Sequence, residues 1–252
     1  MHYVQQNQPE GVPPLELTGE RTLPDVPEEN YWFRRHLVVY EWIAARVAGK
    51  RVADLACGEG YGSDVLAAAG AREVIGVDAN PEAYEHARLR YRRPNLSFRR
   101  ELVEDFAGPV DVVVFLQTIE HIHDPDRLLA NLARAAPVSY ISTPNRLTLA
   151  PPGAEKSENP WHLREYTHSE YRELLEPHFS EVCIMGLFHA RKLRVHEVAL
   201  RLGWDRVHKA LRITKPFYDR FTPAISVADF KLLDEDDCDL DRALDFVAIC
   251  RA

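Results

Sequence analysis

The sequence predicts an α/β fold of Rossmann-like architecture, with a mostly parallel sheet of seven strands and helices on both faces. Between residues 50 and 145, short apolar runs alternate with amphipathic stretches, which is typical of a parallel sheet covered on both sides. The first of these runs leads through VADLACGEGYG, residues 52–62, into a helical stretch. A strand, a glycine-rich turn and a helix in that order begin many nucleotide-binding domains.

Seven strands are predicted from runs of apolar and β-branched residues. In chain order they are RVADLAC, EVIGVD, NLSFRR, VDVVVFL, VSYIST, EVCIMGLF and ALDFVAIC. Apolar residues at helical spacing predict helices in residues 28–47 and in the stretches GSDVLAAAG, PEAYEHARLRYR, DPDRLLANLARAA and SEYRELLEPHF. Ser169 is the expected cap of the last helix. A helical insertion is expected around residues 195–236.

Composition narrows the classes of function. The net charge of −8 argues against a nucleic acid or an anionic membrane as the main partner. No apolar run approaches the ~20 residues of a membrane span, and the first residues lack the pattern of a secretion signal. The four cysteines are not spaced like metal ligands, so we expect reduced thiols and a cytoplasmic location. The arginine-rich residues 88–100 are interpreted as a solvated surface rather than a phosphate site.

The glycine-rich turn predicts a ligand. Gly58, Gly60 and Gly62 follow a strand directly, and glycine lets the backbone approach a ligand that a Cβ atom would obstruct. Asp78 ends the next strand, twenty residues after Gly58, where a carboxylate can bind the hydroxyls of a ribose. The sequence therefore predicts a cofactor that contains a nucleoside.

The spacing favours S-adenosylmethionine over NAD as that cofactor. In the dinucleotide motif the third glycine lies three residues beyond the second, whereas Gly62 lies two residues beyond Gly60. Asp54 in the strand and Glu59 in the turn are unsuited to a pyrophosphate. Their charges suit a ligand that carries an ammonium and a sulfonium group.

The turn resembles motif I of class I S-adenosylmethionine-dependent methyltransferases, and VIGVD resembles their second motif. The resemblance implies a class I methyltransferase fold in which Asp54, Gly58 and Gly60 line the methionine part of the cofactor and Asp78 binds the ribose. It also assigns three further residues to the cofactor, namely Ala56, Ala79 and Phe115. Leu102 stands where many members have an acidic residue, so its main-chain amide or Glu101 would contact the adenine.

A narrower resemblance runs from Thr18 to the C-terminus, although the insertion matches poorly. The stretches TGERTLPDVPEENYWFRRHLVVY, STPNR, GLFH and ALDFVAI are similar to actinobacterial sugar O-methyltransferases of the type linked to mycobacterial methylglucose lipopolysaccharide synthesis. This implies methyl transfer to a hydroxyl of a sugar or oligosaccharide. It also places Tyr31, Arg35 and Tyr40 near the carboxylate and adenosine of the cofactor, while Trp32 either joins them or packs on the sheet.

These assignments predict one methyltransferase domain across residues 1–252. Residues 1–49 are interpreted as a cover over the cofactor and residues 50–145 as the cofactor-binding core. Residues 146–252 would then supply a substrate-side loop, the late strands and the insertion. Whether the protein forms a homodimer is left open.

The fourth strand leads into QTIEHIHD, at the edge where an open parallel sheet binds its ligands. Methyl transfer to a hydroxyl requires alignment of the acceptor and removal of its proton. An imidazole, with an ordinary pKa of about 6.5, can accept that proton. His121 also aligns with a histidine common in the family and is the predicted base, with His162 in ENPWHLREYT as the alternative.

Aromatic and hydrogen-bonding side chains suit a sugar, which has apolar faces and hydroxyl edges. Arg164 and Tyr166, on the loop that carries His162, are therefore predicted to contact the acceptor. Asn145 of STPNR is assigned to the acceptor with them.

A divalent cation such as Mg²⁺ is the main alternative to a histidine base. Some related O-methyltransferases hold a cation with a Glu-x-x-Glu-His run at this position, and Glu120 and His121 match its second half. Gln117 replaces the first carboxylate, and a hard cation prefers several oxygen ligands, so a metal is not favoured. The acidic residues 234–241 are interpreted as a solvated turn rather than a metal cluster.

Three further functions stay open. They are a small-molecule N- or C-methyltransferase, an NAD-linked dehydrogenase and a catalytically inactive binding module. The glycine spacing and the acidic residues of the turn disfavour the dehydrogenase. The intact set of Asp54, the three glycines and Asp78 disfavours the inactive module.

Overall fold

The computed structural model describes residues 3–19 and 21–252. Its strands are β1 (Arg51–Leu55), β2 (Glu73–Val77), β3 (Leu96–Arg99), β4 (Val112–Leu116), β5 (Val138–Pro144), β6 (Glu181–His189), β7 (Phe230–Asp234) and β8 (Asp245–Arg251). They form one sheet in the order β3-β2-β1-β4-β5-β8-β6-β7. Strands β1 to β5 are parallel. Strand β8 lies antiparallel between β5 and β6, and β7 is antiparallel to β6.

The predicted count of seven strands was wrong by one, because the described residues form eight. The additional strand, β7, lies inside the predicted helical insertion and pairs Phe230 with His189 and Asp234 with Met185. It lies at the edge of the sheet, and its sequence FKLLD carries two charged residues instead of forming a continuous apolar run. The helical part of the insertion therefore ends before residue 230.

The helices are α1 (Asn30–Ala44), α2 (Tyr61–Ala68), α3 (Pro81–Arg90), α4 (Pro125–Ala135), α5 (Arg146–Leu149), α6 (His168–Leu175), α7 (Arg191–Arg201), α8 (Trp204–Ala210) and α9 (Thr214–Phe221). Local sequence explains where several of them begin. Asn80 caps α3 by accepting hydrogen bonds from two backbone N–H groups. The expected cap of α6 was wrong: Thr167, not Ser169, caps it, and Glu170 completes a capping box.

Apolar side chains cover both faces of the sheet, as predicted. Helices α4 and α6 bury Leu128 and Tyr171 against one face, and α1 and α2 bury Ile43 and Leu66 against the other. None of the described helices is long and apolar enough to cross a membrane.

The strand order reverses between β1 and β4, which leaves a crevice beyond the carboxyl ends of these neighbouring strands. Ala56 follows β1 and Gln117 follows β4, and both have a positive φ, 56° and 49°. Such a backbone conformation costs a non-glycine residue on the order of 1 kcal/mol or more. Both residues lie at the crevice, where the chain must turn sharply away from the sheet.

Candidate active site

A cleft of about 450 Å³ opens at this edge of the sheet. Its size falls within the range of small-molecule sites. Seven residues that the sequence assigned to the cofactor or to catalysis line it, namely Tyr40, Ala56, Gly58, Asp78, Ala79, Leu102 and His121. The cleft therefore gathers the ends of β1, β2 and β4 with residues from α1 and from the loop after β3.

The three glycines of the turn have different physical roles. Gly58 lines the cleft with a φ of +55°. A Cβ atom at Gly60 would lie 2.8 Å from the Cβ atom of Ala87, and one at Gly62 would lie 2.1 Å from the ring of Tyr40. Gly60 and Gly62 are thus required by the close packing of α3 and α1 against the turn.

Asp78 joins the turn to the end of β2. Its Oδ2 accepts a hydrogen bond of 2.8 Å from the N–H of Gly58, and its Oδ1 accepts one of 2.9 Å from the N–H of Asn80. An ionised carboxylate has about four acceptor sites. Asp78 also lines the cleft, so its carboxylate lies where the diol of a ligand could donate hydrogen bonds to it.

Asp54 lies in β1 and is fully buried, outside the lining of the cleft. Tyr40 donates a hydrogen bond of 3.1 Å to its Oδ1, and Ser63 donates one of 2.6 Å to its Oδ2. Burial raises the pKa of Asp54 to about 7. Asp54 thus links α1 and α2 to β1 and does not present a full negative charge near neutral pH.

Glu59 is engaged by the protein itself. Its buried carboxylate accepts hydrogen bonds from Gln5 at 3.1 Å and from Tyr91 at 2.7 Å. It also lies 2.9 Å from Nε2 of His86 and 3.0 Å from the guanidinium of Arg90. These contacts fix the turn to α3 and to the N-terminal segment. They also compensate the negative charge of Glu59, which the sequence analysis had interpreted as suited to a cationic ligand.

A second cavity, of about 380 Å³, adjoins the cleft and shares five lining residues with it, namely Arg21, Thr22, His36, Gln117 and His121. Its other walls include Trp32 and Arg35 of α1, Glu120, and His162 with Asn159 from the loop before α6. The alternative base, His162, lines the second cavity and not the cleft, whereas His121 lines both. His121 therefore stands where the two cavities meet.

The two candidate bases, His121 and His162, lie with their ring centroids 5.0 Å apart. Nδ1 of His121 lies 2.7 Å from the backbone oxygen of Trp161. A carbonyl oxygen only accepts, so Nδ1 donates and Nε2 of the neutral ring is the basic nitrogen. In His162, Nδ1 lies 2.6 Å from Oε1 of Glu165, and Nε2 lies 3.0 Å from the amide nitrogen of Asn159. Both ring nitrogens of His162 are thus engaged.

Glu120 lies beside the histidines in the short 3-10 helix Ile119–His121. It is almost completely buried, and Thr143 donates a hydrogen bond of 3.1 Å to its Oε2. Burial raises the pKa of Glu120 to about 8, so the carboxyl group carries a proton near neutral pH. Ligand atoms of Glu120, His121 and His162 all lie within 4.8 Å of one another, which makes them a candidate cation site.

Comparison with known proteins decides the family, because residues 31–198 match the model of a methyltransferase domain. The chain belongs to this methyltransferase family. It is 38% identical over 249 residues to a probable S-adenosylmethionine-dependent methyltransferase of Mycobacterium tuberculosis, an alignment that covers 93% of this chain and 89% of that protein.

Two further relatives agree with this assignment. The methyltransferase is 34% identical over 152 residues to a ubiquinone biosynthesis O-methyltransferase of Xanthomonas campestris, covering 54% of this chain and 62% of that protein. It matches the fold of an S-adenosylmethionine-dependent methyltransferase from Mesorhizobium loti with a TM-score of 0.52 at 19% identity, over 84% of this chain and 98% of that one. The predicted enzyme class, the S-adenosylmethionine cofactor and the Rossmann-like class I fold are confirmed.

The cleft of the methyltransferase fits its cofactor. Asp78 offers a carboxylate to a diol, and the turn at Gly58 brings backbone within reach of a ligand. Leu102 borders the cleft with a largely exposed side chain and leaves an apolar surface for a base. These groups come from the ends of three consecutive strands, as the order of the sheet requires.

Arg35 lines the second cavity and not the cofactor cleft of the methyltransferase. Its Nε and Nη2 each donate a hydrogen bond of 2.6 Å to the carboxylate of Asp245. Its guanidinium also lies 4.8 Å from the ring centroid of Trp32. In this arrangement Arg35 ties α1 to β8, and its contact with the cofactor carboxylate stays a prediction.

Tyr31 and Phe115 also lie outside the cofactor cleft to which they were assigned. The hydroxyl of Tyr31 forms a hydrogen bond of 2.9 Å with Nε2 of His189, and its ring packs on Phe230. Phe115 is completely buried in the core. Contacts within the protein therefore position both side chains: Tyr31 packs α1 on the sheet, and Phe115 fills the core.

The predicted acceptor residues of the methyltransferase are not brought together either. The amide of Asn145 is buried and donates to backbone oxygens of residues 240, 241 and 243. Tyr166 is almost completely buried in the core, and the guanidinium of Arg164 lies 5.1 Å from its ring centroid. None of these three side chains lines the second cavity.

Sequence analysis missed Arg21, Thr22 and His36, which line both cavities. Burial lowers the pKa of His36 to about 4, so its ring is neutral. Thr22 lies 2.9 Å from the hydroxyl of Tyr61 through its Oγ1. The signal was present, since TGERTLP belongs to the stretch that carries the narrower resemblance. Its residues have no spacing that identifies them without the fold. Glu20 and the first two residues of the predicted cover lie outside the described residues.

Proposed function

We propose that this methyltransferase transfers a methyl group from S-adenosylmethionine to a hydroxyl of a sugar or oligosaccharide, with His121 as the general base. The observation that carries the proposal is that His121 lines both the cofactor cleft and the adjoining cavity. A base that removes the proton of an acceptor must lie where the acceptor meets the methyl donor.

The proposal gives each part of the site a role. Asp78 and the turn at Gly58 would hold the cofactor. Its sulfonium would supply the methyl group, with the thioether S-adenosylhomocysteine as the leaving group. The acceptor hydroxyl gives its proton to Nε2 of His121. The hydrogen bond from Nδ1 to the backbone oxygen of Trp161 selects the tautomer in which Nε2 is basic. The protein therefore contributes position and a proton acceptor.

The second cavity is the proposed acceptor cavity. Trp32 contributes an aromatic surface and is 40% exposed. Asn159, Gln117 and the neutral carboxyl of Glu120 contribute hydrogen-bonding groups around it. Pockets that combine apolar surface with a few placed polar groups suit small polar ligands. A sugar, with apolar faces and hydroxyl edges, matches this lining.

A panel of acceptors tests the substrate class. The protein is incubated with isotope-labelled S-adenosylmethionine and gluco- or manno-oligosaccharides, phenols or amines, and the products are read by mass spectrometry. We expect labelled methyl groups on one or more oligosaccharides. Methylation of an amine or a phenol, with every sugar left unmodified, would replace the proposal by an N-methyltransferase or a phenol O-methyltransferase.

A metal-assisted O-methyltransferase is the second candidate, because Glu120, His121 and His162 could converge on one cation. Two imidazoles and one carboxylate are a donor set for Zn²⁺ or another first-row transition ion rather than for Mg²⁺. Glu120 would first have to lose its proton, and His162 is engaged by Glu165 and Asn159. These two costs favour the histidine base.

Chelation separates the two candidates. If His121 acts as a base, dialysis against EDTA should leave turnover unchanged within about twofold, since no ion takes part. Turnover is measured by formation of S-adenosylhomocysteine before and after dialysis. Loss of activity that Mn²⁺ or Zn²⁺ restores would instead favour the metal.

A further inference from the structure

Helices α7 and α8 present apolar side chains to solvent. Val195, Val198 and Leu202 are 69%, 42% and 83% exposed, and their spacing of three and four residues places them on one face of α7 and its C-terminal end. On and just beyond α8, Val207 and Leu211 are 46% and 62% exposed. We call these five side chains the apolar stripe.

The apolar stripe is not the face by which the insertion packs on the protein. Leu193, on another side of α7, is buried in the core. His196 packs against Phe217 and Phe221 of α9, with ring centroids 5.7 Å and 4.7 Å apart. The insertion thus has a packed face of its own. The stripe residues of α7 thus form a second apolar face, and exposed apolar patches mark interaction surfaces.

The insertion is strongly basic although the chain is acidic. Residues 191–220 contain nine Lys and Arg against three Asp and Glu, whereas the rest of the chain contains 22 against 36. Each of the three acids pairs with a neighbouring base within the insertion. The net charge of the whole chain, which argued against an anionic membrane, therefore conceals a local surface of opposite sign.

Part of this positive charge borders the stripe. Arg194 and Arg201, which both pair with Glu197, line a cleft of about 760 Å³. Its other charged walls are Lys231 and Arg242, with Asp239 and Asp241. Arg206, between the stripe residues in sequence, is exposed. Exposed apolar side chains flanked by arginine and lysine are characteristic of helices that lie in a lipid interface. The core of a protein interface, in contrast, is depleted of charge.

We propose that the apolar stripe docks on an anionic phospholipid surface, with its side chains at the acyl boundary and the neighbouring cations at the phosphates. A symmetric contact with a second copy is disfavoured by the same charges. A twofold interface sets a patch against itself, so two basic insertions would face each other. The proposal concerns localisation and is independent of the acceptor and of His121.

Sedimentation with vesicles tests the proposal. The full chain should bind vesicles of equal parts phosphatidylglycerol and phosphatidylcholine at low salt, and bind pure phosphatidylcholine at least about tenfold more weakly. The combined variant Val195→Ser, Val198→Ser and Leu202→Ser should weaken binding about tenfold or more. Val4→Ser, which changes an exposed apolar side chain elsewhere, is the matched control and should bind like the wild type.

Charge is tested separately. Arg206→Gln combined with Arg212→Gln should weaken vesicle binding and flatten its dependence on salt. Arg92→Gln combined with Arg100→Gln removes two exposed arginines from another surface and should change neither. Cofactor affinity, measured by calorimetry, should be the same in all variants and confirms that they fold.

Three results would overturn the proposal. One is a wild-type chain that does not sediment with phosphatidylglycerol vesicles. Another is a serine variant of the stripe that sediments like the wild type. The third is a wild-type dimer, seen by light scattering, that the serine variant dissociates while neither protein binds vesicles, which would assign the stripe to a contact between copies.

Discussion

The cofactor cleft and the acceptor cavity share a wall but are built in different ways. The cleft is formed largely by short segments that follow β1, β2 and β4, and the backbone of the turn at Gly58 is part of its surface. The acceptor cavity is formed by side chains from α1, from the 3-10 helix after β4 and from the loop before α6. Strand ends therefore determine the first site, and distant side chains determine the second.

The two regions also differ in charge. The acceptor cavity is lined by Arg35, which is paired with Asp245, and by the protonated Glu120, and next to it Glu165 engages His162. In the cofactor cleft, the carboxylate of Glu59 is already compensated by Arg90. Buried titratable groups of this kind mark the places where proton transfer is arranged. This contrast supports the proposal that the cleft binds the cofactor and that proton transfer takes place on the acceptor side.

The largest effect on stability is expected from Gly62→Ala. The added Cβ atom would lie 2.1 Å from the ring of Tyr40, and Tyr40 is buried and bonded to Asp54. We expect a loss of about 3 kcal/mol in the free energy of unfolding, measured by urea denaturation, because overpacking forces the core to move. Gly108→Ala is the control, since the nearest atom to its Cβ lies 4.0 Å away.

A stable Gly62→Ala protein would show that α1 can move away from the turn. The turn that borders the cleft would then not depend on its close packing against Tyr40. Calorimetry with S-adenosylmethionine would show whether the displaced Tyr40 also alters the site.

Asp78→Asn should weaken cofactor binding by about 2 kcal/mol, because hydrogen bonds to an ionised group are lost. Turnover at saturating cofactor should change much less, since Asp78 does not line the acceptor cavity. Calorimetry gives the affinity, and Glu82→Gln, at an exposed position on α3, serves as the control. An unchanged affinity would place the ribose elsewhere.

A smaller effect is expected from pH. Burial raises the pKa of Glu120 to about 8, so the folded state holds this proton more tightly than the unfolded chain does. The stability that the protonated group contributes is complete below its unfolded pKa of about 4.3 and is lost as pH rises through about 8. Glu120→Gln, which does not titrate, should therefore gain about 1–2 kcal/mol on the wild type between about pH 6 and pH 8.

Thermal or urea unfolding of both proteins at a series of pH values measures that difference. Glu176→Gln, on the exposed end of α6, should show no such trend. A difference between wild type and Glu120→Gln that stays constant with pH would mean that Glu120 is ionised throughout. The contrast in charge between the two regions would then be smaller than the structure indicates.

The parallel half of the fold could be predicted because its signals are local. Strands β1, β2, β4 and β5 are almost entirely buried and appear as continuous apolar runs separated by helical spacings, whereas β3, at the edge, is half-exposed. Strand β7 was missed because it lies at the edge and two of its five residues are charged, so no continuous apolar run marks it within the predicted helical insertion. The cap of α6 was misplaced by two residues because Thr167 and Ser169 are both suitable cap residues and only the capping box with Glu170 distinguishes them.

The sequence could place candidate residues at the cleft most directly where they follow the end of a strand. Asp78 and His121 were identified because each follows a strand at the crevice. Asn145 also follows a strand, yet its amide binds the loop before β8, a tertiary contact with no sequence signature. The pairing of Arg35 with Asp245, 210 residues later in the chain, could not be predicted because it too is a tertiary contact with no sequence signature.

The most direct test of the proposed division between the two sites is the pair of measurements on His121→Ala. Cofactor affinity should stay within about twofold of the wild type, because only the proton acceptor is lost. Turnover with an oligosaccharide that the wild type methylates should fall about 100-fold or more. Asp126→Ala, an exposed substitution on α4, controls for general effects. Wild-type turnover in His121→Ala, with cofactor binding intact, would contradict the assignment of His121 as the base.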